Sequence, residues 1–388
     1  MQVLACCLIS MCEGFDLAAM GLAGPSMIHG LGLSRSAFGL AVSLMMAGFA
    51  LSATIGGVLG DRVGRRRVVI AGLWTIAVFS ALTIGVRQID GLLAVRFLTG
   101  AGIGLVYPNL MAIAADISTA GNRSRIISLV NCGGSVGGLI GAALLAVMGT
   151  RLHWQYMFVG GALSALAVLP IAYRVLPRSA NMEKTPARQA TPLQVLLGGG
   201  RHGTTIALWI ACFCTSFIFY MMSGWAPTLL SDRGLSPGQV GAATSAMSAA
   251  TIVGVLILAT LLDLRRYRLS FFLAYAGMVG AFLTFALSGG VAGAFASMAM
   301  VGLAVMGGLL LLFALTPALY PEHGKSTGLG AAVTTGRIGA ILSPWVLGRL
   351  LDSGLGQREL FLGLLIPVVI AGVAAQVVAT RTTAANAD

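Results

Sequence analysis

Runs of about twenty mainly apolar residues, one after another with short polar breaks between them, leave this chain of 388 residues only the bilayer as a solvent. Hydrophobic residues make up 57 % of the chain and charged ones 9 %, more apolar side chain than a water-soluble fold of this length can bury. Spans are expected near 3–28, 36–60, 67–86, 92–115, 126–148, 154–176, 204–230, 239–262, 269–288, 293–317, 327–350 and 359–380. The fold class that follows is all-α and integral to the membrane, with twelve transmembrane helices.

The net charge of +12 bears on orientation rather than on nucleic acid. Arg62, Arg65, Arg66, Arg67, Arg123, Arg125, Arg174, Arg178, Lys184, Arg188, Arg201, Arg265, Arg266, Arg268, Lys325 and Arg381 fall in alternate turns, the linker and the C-terminus. The opposite turns hold only Arg35, Arg87, Arg151, Arg233, Arg349 and Arg358. Lys and Arg near span ends are retained in the cytoplasm, so both termini are expected there, in a bacterial-type inner membrane. All six cysteines (Cys6, Cys7, Cys12, Cys132, Cys212, Cys214) lie within expected spans without metal-ligand spacing and read as packing residues; no metal or other cofactor is implied. Met1 stands almost at the edge of the first span, so a short leader is missing or translation starts upstream.

Residues 202 positions apart agree repeatedly without gaps. Gly32-Leu33-Ser34 returns as Gly234-Leu235-Ser236, Pro25 as Pro227, Gly39 as Gly241, Asp61 as Asp263 and Gly137 as Gly339. Shared apolar composition does not produce matched Pro, Asp and Ser at one shift. The expected organisation is an N-terminal six-helix bundle over 1–176, a cytoplasmic linker over 177–202 with Pro177, Pro186, Pro192 and three glycines, and a C-terminal six-helix bundle over 203–388.

Between the second and third spans stands Gly57-Val58-Leu59-Gly60-Asp61-Arg62-Val63-Gly64-Arg65-Arg66-Arg67. A tight turn between antiparallel helices needs Gly64, while Asp61 at a helix end can pair with a neighbouring cation and be released again. The stretch resembles the signature loop of the major facilitator superfamily, whose two six-helix halves enclose a central cavity. That resemblance implies a gate built from Asp61, Arg62, Gly64 and Arg65; a solvated basic turn that only sets topology is the plainer alternative.

Four ionisable side chains are expected deep in the membrane: Glu13, Asp16, Arg96 and Arg337. A charge there costs about 3 kcal/mol on insertion scales, so it usually faces a cavity and has a partner. Glu13 and Asp16 share one face of the first helix, a spacing suited to binding and releasing a proton. Arg96 is expected to pair with one of them, while Arg337, in the other half, offers a two-pronged grip for a carboxylate. Permanent structural ion pairs between helices are the competing reading for all four.

Glu13-Gly14-Phe15-Asp16 is similar to the Asp-Gly-Phe-Asp pattern of the aromatic acid:proton symporter family. So are Arg96 to Gly104 with Tyr107-Pro108-Asn109, Gly224-Trp225-Ala226-Pro227, and Gly336-Arg337-Ile338-Gly339. Glutamate in place of the first aspartate, with Leu129 to Cys132 and Trp154 to Gly161, looks most like the branch that takes 3-(3-hydroxyphenyl)propionate. The segment His323-Gly324-Lys325-Ser326-Thr327-Gly328 departs from the family's basic pattern before the eleventh helix. Gly133 to Gly138 lacks the proline motif of facilitator drug antiporters, which favours import.

The resemblance implies uptake of a small aromatic carboxylate with protons by a functional monomer. Glu13 and Asp16 would carry the coupling, with Arg96, Arg337, Tyr107, Tyr220 and Trp225 at the substrate. Phe15 and Phe217 are further aromatic surfaces. Two other expectations remain, a proton-coupled antiporter and a transporter-like nutrient sensor. No constellation points to an enzyme.

Overall fold

The computed structural model describes residues 1–119, 122–151, 153–177, 192–198, 200–321 and 324–385. Most of the expected linker, with Arg178, Lys184, Arg188 and Pro186, and also His323, lie outside the described residues. Among the described residues the chain is helical: α1 (Gln2–Leu31), α2 (Arg35–Val63), α3 (Arg65–Thr83), α4 (Ile89–Asp116), α5 (Arg123–Met148), α6 (Trp154–Val175), the short α7 (Pro192–Leu197), α8 (His202–Asp232), α9 (Pro237–Asp263), α10 (Tyr267–Leu287), α11 (Gly290–Leu315), α12 (Lys325–Asp352) and α13 (Gln357–Ala385). Each expected span falls on one of the twelve long helices.

Eleven of these are long and apolar enough to cross a membrane. The exception is α12, of similar length but carrying Lys325, Arg337, Arg349 and Asp352. Its middle is diluted by a cation that the other helices of the C-terminal half lack. Large apolar side chains such as Leu51, Ile55, Leu256, Ile366 and Val373 stand exposed, as a surface solvated by lipid requires.

The 202-residue repeat has a physical cause at each end of its first motif. Gly32 and Gly234 both take positive φ, 61° and 82°, the left-handed conformation that closes a helix and that glycine adopts without strain. Leu33 N–H then donates to the Ile28 carbonyl and Leu235 N–H to that of Leu230. Ser34 Oγ accepts the Ala37 N–H at 3.1 Å and Ser236 Oγ the Gln239 N–H at 3.4 Å, each capping the next helix. Close helix approach is repeated too. A Cβ on Gly137 would meet the Met11 carbonyl oxygen at 1.9 Å, and one on Gly339 that of Phe213 at 2.4 Å, the equivalent residue.

Two compact units form by packing: Met1–Glu183 with Ser223–Ser248 and Pro344–Ser353, and Lys184–Met222 with Ala249–Ser343 and Gly354–Asp388. In the first, α1 to α6 gather the last part of α8, the start of α9 and the end of α12 near the N-terminal end of α2 and the C-terminal end of α5. The contacts are again paired by the repeat. A Cβ on Gly39 of α2 would lie 2.3 Å from the Pro344 oxygen of α12, and one on Gly241 of α9 would lie 2.7 Å from the Ala142 oxygen of α5.

Arg35 anchors this end of the unit. Its guanidinium pairs with Asp232 of α8, while its backbone N–H and that of Ser36 donate to the Asp352 carboxylate at 3.0 and 2.8 Å. An acid at the C-terminus of α12 opposes its own helix dipole but caps the N-terminus of α2. Partial desolvation works against the Asp352 charge, yet bonds from the Ser36 hydroxyl and both backbone N–H groups, with the Arg35 charge, hold it below the ordinary carboxylate range. A carboxyl held low contributes above its unfolded value and is lost only as pH falls through the lowered one, so this cap persists in mildly acid conditions.

Candidate functional site

Four helices of the first unit meet around Asp16. It lies midway along α1, fully buried, with Oδ1 accepting from the Ser80 hydroxyl of α3 and Oδ2 3.9 Å from Arg96 Nη1 of α4. Gly161 of α6 makes room for it, since a Cβ there would come within 2.5 Å of Oδ1. Arg96, equally buried, donates through Nη2 to Thr83 Oγ1 and, at 3.5 Å, to the Phe79 carbonyl, and its guanidinium lies 4.7 Å from the centre of the Phe158 ring. Ser80 and Thr83 are three apart and so share a face of α3.

The pair is a charge contact rather than a two-pronged bond. Arg96 Nε and Nη1 and Asp16 Oδ2 make no hydrogen bond among the described residues. At such a spacing the attraction is about 4 kcal/mol for an effective dielectric near 20. Desolvation of two buried ions costs several kcal/mol each, more than this attraction returns, so the pair depends on the added bonds from Ser80 and to Thr83, and removing either ion strands the other.

Glu13 is 5 % exposed and its Oε1 is buried with no hydrogen-bond partner. Among the described residues no ion pair involves it. The expected partnership of Arg96 with one of the two acids therefore falls on Asp16, and the two carboxyls have unlike surroundings despite their shared helix face.

Tyr107 of α4 donates its hydroxyl to Asn131 Oδ1 of α5 at 3.1 Å and packs edge-on against Phe49. In the second unit Arg337 Nη1 of α12 donates to the Tyr220 hydroxyl of α8 at 3.2 Å, and both side chains are half-buried. Trp225 lies elsewhere. It is fully buried, its indole N–H donates to the Pro344 carbonyl at 3.0 Å, and its ring meets Phe38 edge-on. In this conformation it belongs to the packing of α8 against α2 and α12. Phe15 fills a gap beside Gly160, and Phe217 lies beside Phe213.

At the signature loop, Gly64 joins α2 to α3 at φ 99°, a conformation that a side chain would strain. Asp61 Oδ1 accepts from Arg65 Nη2 at 3.3 Å, and Arg65 also binds Asp116 at the end of α4. Arg62 lies exposed in the last turn of α2. No group of three or more His, Cys, Asp or Glu side chains gathers as a metal site among the described residues.

Sequence reasoning missed Ser80, Thr83, Phe158 and Asn131. Hydroxyls in apolar helices commonly bond the carbonyl one turn back, as Thr83 also does to Phe79, so nothing in the sequence marks the ones that serve a buried charge.

The family description Major Facilitator Superfamily matches residues 6–344. The 3-(3-hydroxy-phenyl)propionate transporter of Escherichia coli is 31 % identical, over 97 % of this chain and 93 % of its own. The gallate transporter of Pseudomonas putida is 30 % identical, over 95 % and 89 %. Among solved structures, the xylose transporter of E. coli in an inward open conformation matches 97 % of this chain and 94 % of its own with a TM-score of 0.75, at 16 % identity, a likeness of fold. The helices, their repeat and the glycine turn at the signature loop agree with a match over most of the sequence: the chain belongs to the Major Facilitator Superfamily, a family of transporters rather than enzymes.

Proposed function

We propose that the protein imports a small aromatic carboxylate together with protons by alternating access. The observation that carries the coupling is the pair of unlike buried carboxyls on α1. Asp16 faces a cation and a hydroxyl donor, so it can stay ionised; Glu13 has neither among the described residues, and an uncompensated charge there is too costly to keep. Glu13 is thus the group that holds the transported proton in this conformation, and Asp16 with Arg96 is the element that senses its release.

The substrate class rests on the relatives, two of which are named for aromatic acids, and on Arg337. A guanidinium stays charged at neutral pH and binds a carboxylate through two parallel hydrogen bonds, with the Tyr220 hydroxyl already aligning it. Tyr107 with Asn131 offers an aromatic face and polar groups suited to a ring hydroxyl. Trp225 serves to hold α8 against α2 and α12, and Asp61, Arg62, Gly64 and Arg65 form the gate at the opposite end of α2.

Both termini lie in the cytoplasm of a bacterial-type inner membrane, as the one-sided arginines support. The two-half division at 177–202 follows from the repeat, and the protein works as a monomer.

The test is uptake into proteoliposomes with an imposed pH gradient, using hydroxyphenylpropionate, hydroxybenzoate, dihydroxybenzoate and nonaromatic acids. Gradient-dependent accumulation of the aromatic acids is expected. A response only to nonaromatic acids overturns the substrate class, and accumulation only when the gradient drives exit makes the protein an antiporter. Arg337→Lys keeps the charge but loses the fork, so a substrate affinity weaker by about tenfold is expected in binding titrations, the loss of one charge-assisted bond. Unchanged affinity removes Arg337 from the site.

A further inference from the structure

The second unit carries a groove that the transport mechanism does not use. It lies on the lipid-facing side of α10 and α13, with a volume of about 540 Å³ and a wall that is almost wholly apolar, including Phe272, Val279, Val369 and Val373. Phe272, Val369 and Val373 are more than half exposed, so no described residue covers it. The lining runs from Phe271 to Val279 along α10, about 12 Å at the helical rise, close to the depth of one leaflet of a hydrocarbon core about 30 Å thick.

The groove is polar at one end only. There Gln376 Nε2 donates to the Arg268 carbonyl at 2.9 Å, which ties α13 to the first turn of α10, and Thr380 completes the wall. Arg381 follows Thr380, and Arg265, Arg266 and Arg268 crowd the turn between α9 and α10, all exposed. Asp263 is the one acid in that turn. Arg265 takes φ 56°, a left-handed conformation in which glycine is the cheap choice, so an arginine is kept here at a cost in backbone strain.

We propose that this groove is a binding site for an anionic phospholipid, with one acyl chain between α10 and α13 and the phosphate among Arg268, Arg381 and the basic turn. The chemistry is complementary at both ends. An acyl chain matches the apolar wall, and arginines at the level of the headgroups bind a phosphate by charge and paired hydrogen bonds. A second copy of the chain is a poorer occupant, because a two-fold contact in the plane of the membrane brings the two arginine clusters to the same level. The site is independent of the transported substrate and of the proton.

Native mass spectrometry of the full chain, purified in mild detergent and supplied with phosphatidylglycerol or phosphatidylcholine of identical acyl chains, tests it. Retention of phosphatidylglycerol over phosphatidylcholine is expected, and Arg268→Gln and Arg381→Gln should each reduce that preference about fivefold, the worth of one arginine at a lipid surface. Val373→Trp should fill the groove and lower retention of the bound lipid itself. Equal retention of the two lipids, or a preference that survives both arginine substitutions, overturns the proposal. A dimer that Val373→Trp disperses would assign the groove to a second copy and overturn it as well. If Val373→Trp fails to fold, the exposed arginine variants decide. Retention is read without transport, so failure here is distinct from failure of the proposed function.

Discussion

Glu13→Gln is expected to leave the protein folded and able to exchange substrate down a gradient, but unable to accumulate it against one. Glutamine has the shape of the protonated acid and cannot release a proton. Since Glu13 has no ion partner among the described residues, the substitution strands no buried countercharge. For a carrier that moves one proton per substrate, each pH unit of gradient supports about tenfold accumulation, because one unit is about 1.4 kcal/mol. In the variant the ratio of inside to outside substrate should settle near one. Counterflow, in which labelled substrate exchanges for unlabelled without any gradient, should persist. Undiminished accumulation would show that the proton is carried elsewhere.

Asp16→Asn is expected to act first on stability. It removes the carboxylate beside Arg96 and leaves a fully buried guanidinium that, among the described residues, keeps Thr83, Phe79 and the Phe158 ring. Breaking one side of a buried pair typically costs about 3–5 kcal/mol, against about 1 kcal/mol for an exposed pair. Thermal unfolding in detergent should therefore fall markedly for Asp16→Asn and for Arg96→Gln alone. The double variant should recover part of the loss, since no charge is then left unpaired. If the single substitutions are neutral and the double shows no recovery, the pair does not hold the four helices together.

The contrast between these acids shows what the sequence could and could not disclose. Three-residue spacing on an apolar helix was enough to single out Glu13 and Asp16, since a charge in the membrane needs a reason. Which of them faces Arg96 depends on the rotation of α1 against α5 and α6, and that is set by close approaches at Gly14, which meets Gly134 of α5, and at Gly161 of α6, visible only once their neighbours are known. Trp225 illustrates the opposite difficulty. An aromatic side chain beside a helix proline reads alike whether it lines a cavity or, as here, wedges against Phe38 and the Pro344 carbonyl. The helices were legible because bilayer thickness dictates their length, and the turns because Gly32, Gly64 and Gly234 occupy backbone angles that few other residues tolerate. The weak apolarity of α12 was the one place where composition and position disagreed, and it coincides with Arg337.

The twin contacts at Gly39 and Gly241 have a consequence for how mutations here will behave. Each is a place where one helix rests directly on the carbonyl of another, and the internal duplication makes the two contacts equivalent. A methyl group or larger at either position cannot fit unless the two helices part, so distant substitutions in different halves of the sequence should loosen the same kind of seam and share one phenotype.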